Sequence, residues 1–139
     1  MKRQGLLNAP ISTLLAELGH TDTLVIADAG LPIPPGMPRI DLALRPGLPS
    51  FLDVLDAVLD ELCIESATLA SEIDERNANL HQMVEKRLAA QEHRDSCSIE
   101  RRLIAHETFK REIINARGVI RTGECTPFAN IILRSGVPF

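Results

Sequence analysis

A chain of 139 residues has room for one hydrophobic core, and with 45% apolar and 24% charged residues it is composed like a globular protein rather than a disordered segment. Lys and Arg number 15 against 19 Asp and Glu, and the formal charge of −4 argues against a basic face that tracks nucleic-acid phosphates. Four Phe, no Tyr and no Trp leave little on which to stack a base or a sugar, so polar contacts in a cleft are the expected mode of ligand binding.

The chain starts Met1-Lys2-Arg3 like a signal segment, but Asn8 and Pro10 interrupt the apolar run after Leu6-Leu7. No run approaches the ~18 apolar residues of a membrane span. Ile11, Leu14, Leu15 and Leu18 have the spacing of a helix with one apolar face, with Pro10 in its first turn and Gly19 at its end. Thr23 to Asp28 reads as a short buried strand, closed by Gly30 and Pro32. Six of the nine prolines lie between Pro32 and Pro49, and Arg39 to Leu44 alternates among them, which predicts a stiff ordered loop carrying one strand. Ser50 is the expected N-cap of a helix, with Asp53 as its capping-box partner and Phe51, Val54, Leu55, Val58, Leu59 and Leu62 facing inward.

Ile64 to Ala70 is the third expected strand. Asn77 to Ala90 reads as a helix with Leu80, Met83, Val84 and Leu88 inward. Ser98 to Ile104 alternates as a strand, Glu107 to Ala116 is helical, and Gly118 stops it. Val119 to Arg121 and Asn130 to Arg134 are two last strands, joined by a turn through Thr122 to Pro127. Cys63, Cys97 and Cys125 are odd in number and form no CxxC spacing, as expected of free thiols in a reducing compartment, and the cytoplasm is the expected location.

Helices alternating with buried strands predict an α/β fold, a single domain over residues 1–139, with a layered sheet covered by helices on both faces. In such sheets ligands sit beyond the carboxyl ends of the strands, which points to Asp28 with its proline-rich loop and to the loop after Arg121. Neither GxGxxG nor GxxxxGK[ST] occurs, so a nucleotide-phosphate cradle is not expected.

Among the four histidines, His81 and His93 lie in a charged stretch and read as solvated helix surface. His20 follows a helix-ending glycine and sits two residues from Asp22, where a carboxylate could orient an imidazole able to titrate near neutral pH. The competing reading of His20 is a helix-capping residue. His106 opens a helix at a strand end, with a role in the turn as its alternative. Asp28 either caps its own loop or faces a ligand. A metal held by His20, Asp22, Asp28 and His106 matches no standard spacing, and none is expected.

Four blocks are more specific than periodicity: Leu18-Gly19-His20-Thr21-Asp22-Thr23-Leu24-Val25, Asp28-Ala29-Gly30-Leu31-Pro32-Ile33-Pro34, Arg39-Ile40-Asp41, and Gly123-Glu124-Cys125-Thr126-Pro127-Phe128-Ala129-Asn130-Ile131-Ile132-Leu133. In this order and register, from Asn8 to Phe139, the chain resembles the D-ribose pyranase family. The related L-fucose mutarotases share the Gly-His-x-Asp and Gly-Glu blocks but lack the Gly-Leu-Pro-Ile-Pro continuation.

The resemblance implies a cofactor-free isomerase that interconverts the pyranose and furanose forms of D-ribose, so that a ribokinase can use the furanose. It implies His20 as the catalytic acid/base, with Asp28, His106, Phe128, Ala129 and Asn130 contacting the sugar. It also implies a ring-shaped homodecamer with the site in a cleft between neighbouring subunits. The chemistry asks for a base at the anomeric hydroxyl and an acid at the ring oxygen, both within the reach of an imidazole, and sugar hydroxyls suit Asp28 as acceptor and Asn130 as both donor and acceptor. The family commonly carries tyrosine at Phe128, so a phenol hydroxyl is lost here. A non-catalytic sugar-binding oligomer tied to ribose uptake and a fucose-type mutarotase are the alternative readings. The apolar residues of the last segment, Ile131, Ile132, Leu133, Val137 and Phe139, add a physical reason to expect oligomerisation, unless a central strand and a folded-back tail absorb them.

Overall fold

In a computed structural model describing residues 1–139, the first helix α1 (Ala9–Glu17) begins at Asn8, whose side chain accepts the Ile11 N–H while Pro10 occupies the first turn, where its missing N–H has no cost. Strand β1 (Thr23–Ala27) follows, and β2 (Arg39–Asp41) lies within the proline-rich stretch. This strand is shorter than the alternation to Leu44 suggests, because the Asp41 carboxylate turns back to accept the Ala43 N–H.

Helix α2 (Phe51–Leu59) starts with the expected capping box: the Ser50 hydroxyl accepts the Asp53 N–H, and the Asp53 side chain accepts the Ser50 N–H. Strand β3 (Ile64–Ala70) keeps its expected bounds. A short helix α3 (Ile73–Arg76) then precedes α4 (Ala78–Asp95), which is longer than expected. Its inward stripe is Leu80, Val84, Leu88 and Gln91, so Met83 points outward and is exposed, against expectation. The chain ends with β4 (Glu100–Ile104), α5 (His106–Glu112) running into a 3-10 turn at Ile113–Asn115, β5 (Val119–Arg121) and β6 (Ile131–Ser135).

The six strands form one mixed sheet in the order β2-β5-β1-β6-β3-β4. Neighbours β2 and β5, β5 and β1, and β3 and β4 are parallel, whereas β6 enters between β1 and β3 antiparallel to both. Ile131, Ile132 and Leu133 are thus the centre of the sheet and are buried within the chain, whereas Val137 and Phe139 beyond it remain exposed.

Side chains alternate across β1. Leu24 and Ile26 join a large core under α1, α2 and α4, and Val25 and Ala27 join a smaller core with Phe109 of α5 and Ile113. Both faces of the sheet therefore carry helices. Phe109 is the one aromatic side chain in the smaller core and is fully buried. Phe109→Ala is expected to cost about 3–5 kcal/mol, seen as a lower urea midpoint by circular dichroism, the suitable probe in a chain without Tyr or Trp.

Candidate functional site

The antiparallel insertion of β6 decides which loops meet. The carboxyl ends of β1, β3, β4 and β5 lie at the same end of the sheet as the start of β6, as the pairs Ala27–Arg121, Ala70–Ile104 and Leu69–Ile131 show. That end brings together Asp28, His106 and the segment Phe128-Ala129-Asn130.

Asp28 and Asn130 are locked to each other. The Asp28 backbone N–H donates to Asn130 Oδ1 at 2.9 Å, and Asn130 Nδ2 donates to Asp28 Oδ2 at 2.7 Å. The second Asp28 oxygen accepts the Gly30 N–H at 2.9 Å. Asp28 therefore closes its own loop, as the first of its two readings has it, and also meets Asn130. Ala129 and Asn130 are fully buried.

His106 begins α5. Its backbone N–H is taken by the Glu72 carboxylate, at 3.0 and 3.1 Å, and this bond is the main reason the Glu72 carboxyl lies below the usual range. The imidazole lies 6.3 Å from the Phe109 ring in stacked orientation and meets Phe128 edge-on at 5.1 Å. Its Nδ1 is buried without a partner. Phe128 sits in the left-handed region at φ 58, an uncommon state for an aromatic residue that costs about 1–3 kcal/mol.

Loop 122–130 that presents Phe128 is held from several sides. Asn77 Nδ2 donates to Thr126 Oγ1 and to the Pro127 carbonyl, at 3.0 and 2.9 Å. A Cβ on Gly123 would come within 2.3 Å of the Leu48 carbonyl oxygen, so this glycine lets the proline-rich loop pass. Glu124 accepts the N–H groups of Phe51, Cys125 and Thr126. Burial pushes its carboxyl up, but the backbone donors, with Thr126 foremost, outweigh burial and hold it below the usual value.

A depressed carboxyl stabilises the fold above the unfolded value of about 4.3 and loses that contribution as pH falls through the folded value. Glu124→Gln is therefore expected to lower stability by about 1 kcal/mol at pH 7, with the gap to wild type closing in acid, in paired urea titrations at pH 7 and pH 4.

His20 is elsewhere. It precedes β1, whose five residues at about 3.3 Å each put roughly 17 Å of strand between it and Asp28. At this opposite end it occupies a turn from Gly19 to Asp22, closed by the Asp22 N–H on the Gly19 carbonyl, with Thr21 left-handed at φ 70. The expected orienting role of Asp22 is not seen. Its carboxylate is taken by the Gly19 N–H and by Arg117 at 3.0 Å, and these contacts lower its pKa. His20 Nε2 instead meets Glu65 Oε2 of β3 at 2.9 Å.

A single chain thus divides the six expected residues, one at one end of the sheet and five at the other. It likewise divides the four residues weighed as metal ligands, two and two. A cavity of about 590 Å³ near the C-terminal tail, lined by Leu59, Cys63, Cys97 and Phe139 among others, holds none of the six. Glu65, Glu72, Asn77 and Glu124 support the two ends and were not among the expected residues, since each acts on a partner far away in the sequence. His81, expected on the solvated surface, is mostly covered and lies between Asp74 and Glu85.

The RbsD / FucU transport protein family model matches residues 1–138. Two similar curated relatives are the D-ribose pyranases of Geobacillus kaustophilus, 52% identical over 139 residues covering 100% of this chain and 96% of the relative, and of Yersinia pestis, 52% identical over the whole of both. The solved structure of Bacillus subtilis RbsD complexed with D-ribose superposes with a TM-score of 0.89 at 44% identity, covering 100% of both chains. The fucose mutarotase of Streptococcus pneumoniae complexed with L-fucose, at 23% identity, 94% coverage of both chains and TM-score 0.64, shares the fold. No helix here is long and apolar enough to cross a membrane.

Proposed function

We propose that this chain, which belongs to the RbsD / FucU transport protein family, is an isomerase that interconverts the β-pyranose and β-furanose forms of D-ribose. The observation that carries the mechanism is the division of polar groups between the two ends of β1: His20 and Glu65 at one, Asp28, Asn130 and His106 at the other. Copies arranged head to tail bring the first end of one chain against the second end of its neighbour, and closing that contact on itself makes a ring. The family likeness favours a decamer.

In this shared cleft His20 takes the proton of the anomeric hydroxyl and the ring oxygen gains one, so the hemiacetal opens to the aldehyde. Closure through a different hydroxyl reverses the transfers. The Asp28 carboxylate accepts from sugar hydroxyls, and the His106 imidazole contacts the sugar beside it. Phe128 contributes an apolar wall in place of a phenol. The steps move protons only, between sugar and side chains. A kinase specific for the furanose is the natural consumer of the product, in the cytoplasm.

Saturation-transfer proton NMR on D-ribose tests the reading. Pyranose–furanose exchange above the buffer rate is expected with catalytic amounts of protein. Exchange at the buffer rate overturns the isomerase and leaves a sugar-binding assembly, and faster exchange with L-fucose than with D-ribose reassigns the substrate.

A further inference from the structure

We propose that Glu65 is the positioning residue for His20, and that Nδ1 of His20 is therefore the atom that exchanges protons with the sugar. This rests on the isomerase reading above and extends it to the residue that orients the acid/base.

Two backbone irregularities converge on this contact. Strand β3 slips register against β6 between Ile64 and Ser66: Ile64 faces Ser135 and Ser66 faces Arg134, leaving Glu65 as the extra residue of a bulge. A bulge re-aims a side chain that regular alternation would send to one sheet face. On the other side, the left-handed Thr21 lets the chain turn so that its own N–H donates to the Ser135 carbonyl at 2.9 Å. His20, at the corner of that turn, is thereby fixed over the same end of β6 that Glu65 borders. The two side chains are partly exposed and meet at 2.9 Å, and no other hydrogen bond of either one competes with this contact.

The chemistry follows from the donor inventory. A carboxylate offers only acceptors, so the His20 nitrogen that faces it, Nε2, carries hydrogen in the neutral ring. The lone pair then belongs to Nδ1, which is the base for the anomeric proton and, once protonated, the donor to the ring oxygen. The imidazolium formed in between has its Nε2–H already held by a negative charge. Without Glu65 the ring is free to rotate and to exchange tautomers, so only part of the population presents a lone pair to the sugar.

Two measurements on the whole protein test this: nitrogen-15 spectra of the histidine rings without ribose, with His20→Ala to assign the signal, and kcat and KM for ribose exchange in wild type and Glu65→Ala. The expected results are a His20 ring with its hydrogen on Nε2 in wild type and a mixture of tautomers in Glu65→Ala. The variant should lose about 10- to 100-fold in kcat, part of the 10²–10⁴ that a positioned acid/base contributes, with KM within about twofold. A wild-type ring with its hydrogen on Nδ1, or wild-type kcat in Glu65→Ala, overturns the proposal. Because the ring spectra need no turnover, a wild type that fails to accelerate exchange sinks the isomerase reading and leaves the His20–Glu65 pairing to be judged on its own.

Discussion

His20→Ala is expected to reduce ribose ring-form exchange about 10²- to 10⁴-fold, the range that a positioned acid/base supplies, equivalent to about 3–5 kcal/mol of barrier. The loss should fall on kcat. On the proposed mechanism binding rests on the hydroxyl partners at the other end of the sheet and the imidazole serves proton transfer, so KM should change far less. Substitution should leave the fold intact, because the side chain is about half exposed and its one hydrogen bond goes to Glu65. Thermal unfolding close to wild type would separate lost chemistry from lost structure. The measurement is saturation transfer between the anomeric protons of the two ring forms, in wild type, variant and buffer. Variant exchange equal to wild type would remove His20 from the chemistry and leave the other titratable groups of the proposed cleft, Glu65, His106 and Asp28, as candidates.

The site divides into what is local in sequence and what is not. His20, Asp28 and His106 stand out in the chain as titratable groups at the ends of elements, and the segment Phe128-Ala129-Asn130 joins them only through the family resemblance of its block. Their spatial sorting could not be read from the chain. Consecutive elements suggest a sheet whose ligand edge gathers the strand ends, yet β6 runs antiparallel between β1 and β3 and so brings Asn130 to Asp28 while leaving His20 at the far end. The orienting carboxylate shows the same limit. Asp22 is the near neighbour in sequence, but the Gly19 N–H and Arg117 occupy it, and Glu65, 45 residues away, takes the imidazole.

In the fold, local signals were sufficient where the chemistry is local. The Ser50–Asp53 capping box opens α2 where expected, and β3 and β5 keep their bounds because both faces of each are covered. Where an element answers to distant packing the reading drifted. The inward stripe of α4 runs on through Gln91, whose side chain donates to the Leu62 carbonyl at 2.7 Å, and that longer stripe turns Met83 to solvent. A polar residue completing an apolar stripe gives no periodic signal.

Mixing two inactive proteins is expected to restore activity, and this result separates a shared site from one built within a chain. His20→Ala lacks the acid/base but keeps the Asp28–Asn130 end, whereas Asp28→Ala keeps His20 and Glu65 but lacks an acceptor for the sugar. On the proposed assembly each alone forms a ring in which every cleft is defective. When the two are dissociated together, mixed in equal amounts and allowed to reassemble, a cleft is intact only where the Asp28→Ala chain supplies His20 and the His20→Ala chain supplies Asp28. With random order around a closed homo-oligomeric ring, about one quarter of the clefts meet that condition, so exchange should recover to roughly one quarter of wild type. Simple mixing without dissociation should recover little. If one chain contained the whole site, no reassembled molecule would hold a complete set and activity would stay at the sum of the parents. The roughly 17 Å of β1 between the two groups is the reason for expecting the first outcome: on the proposed reading, His20 and Asp28 meet one pentose only across a contact between neighbouring chains.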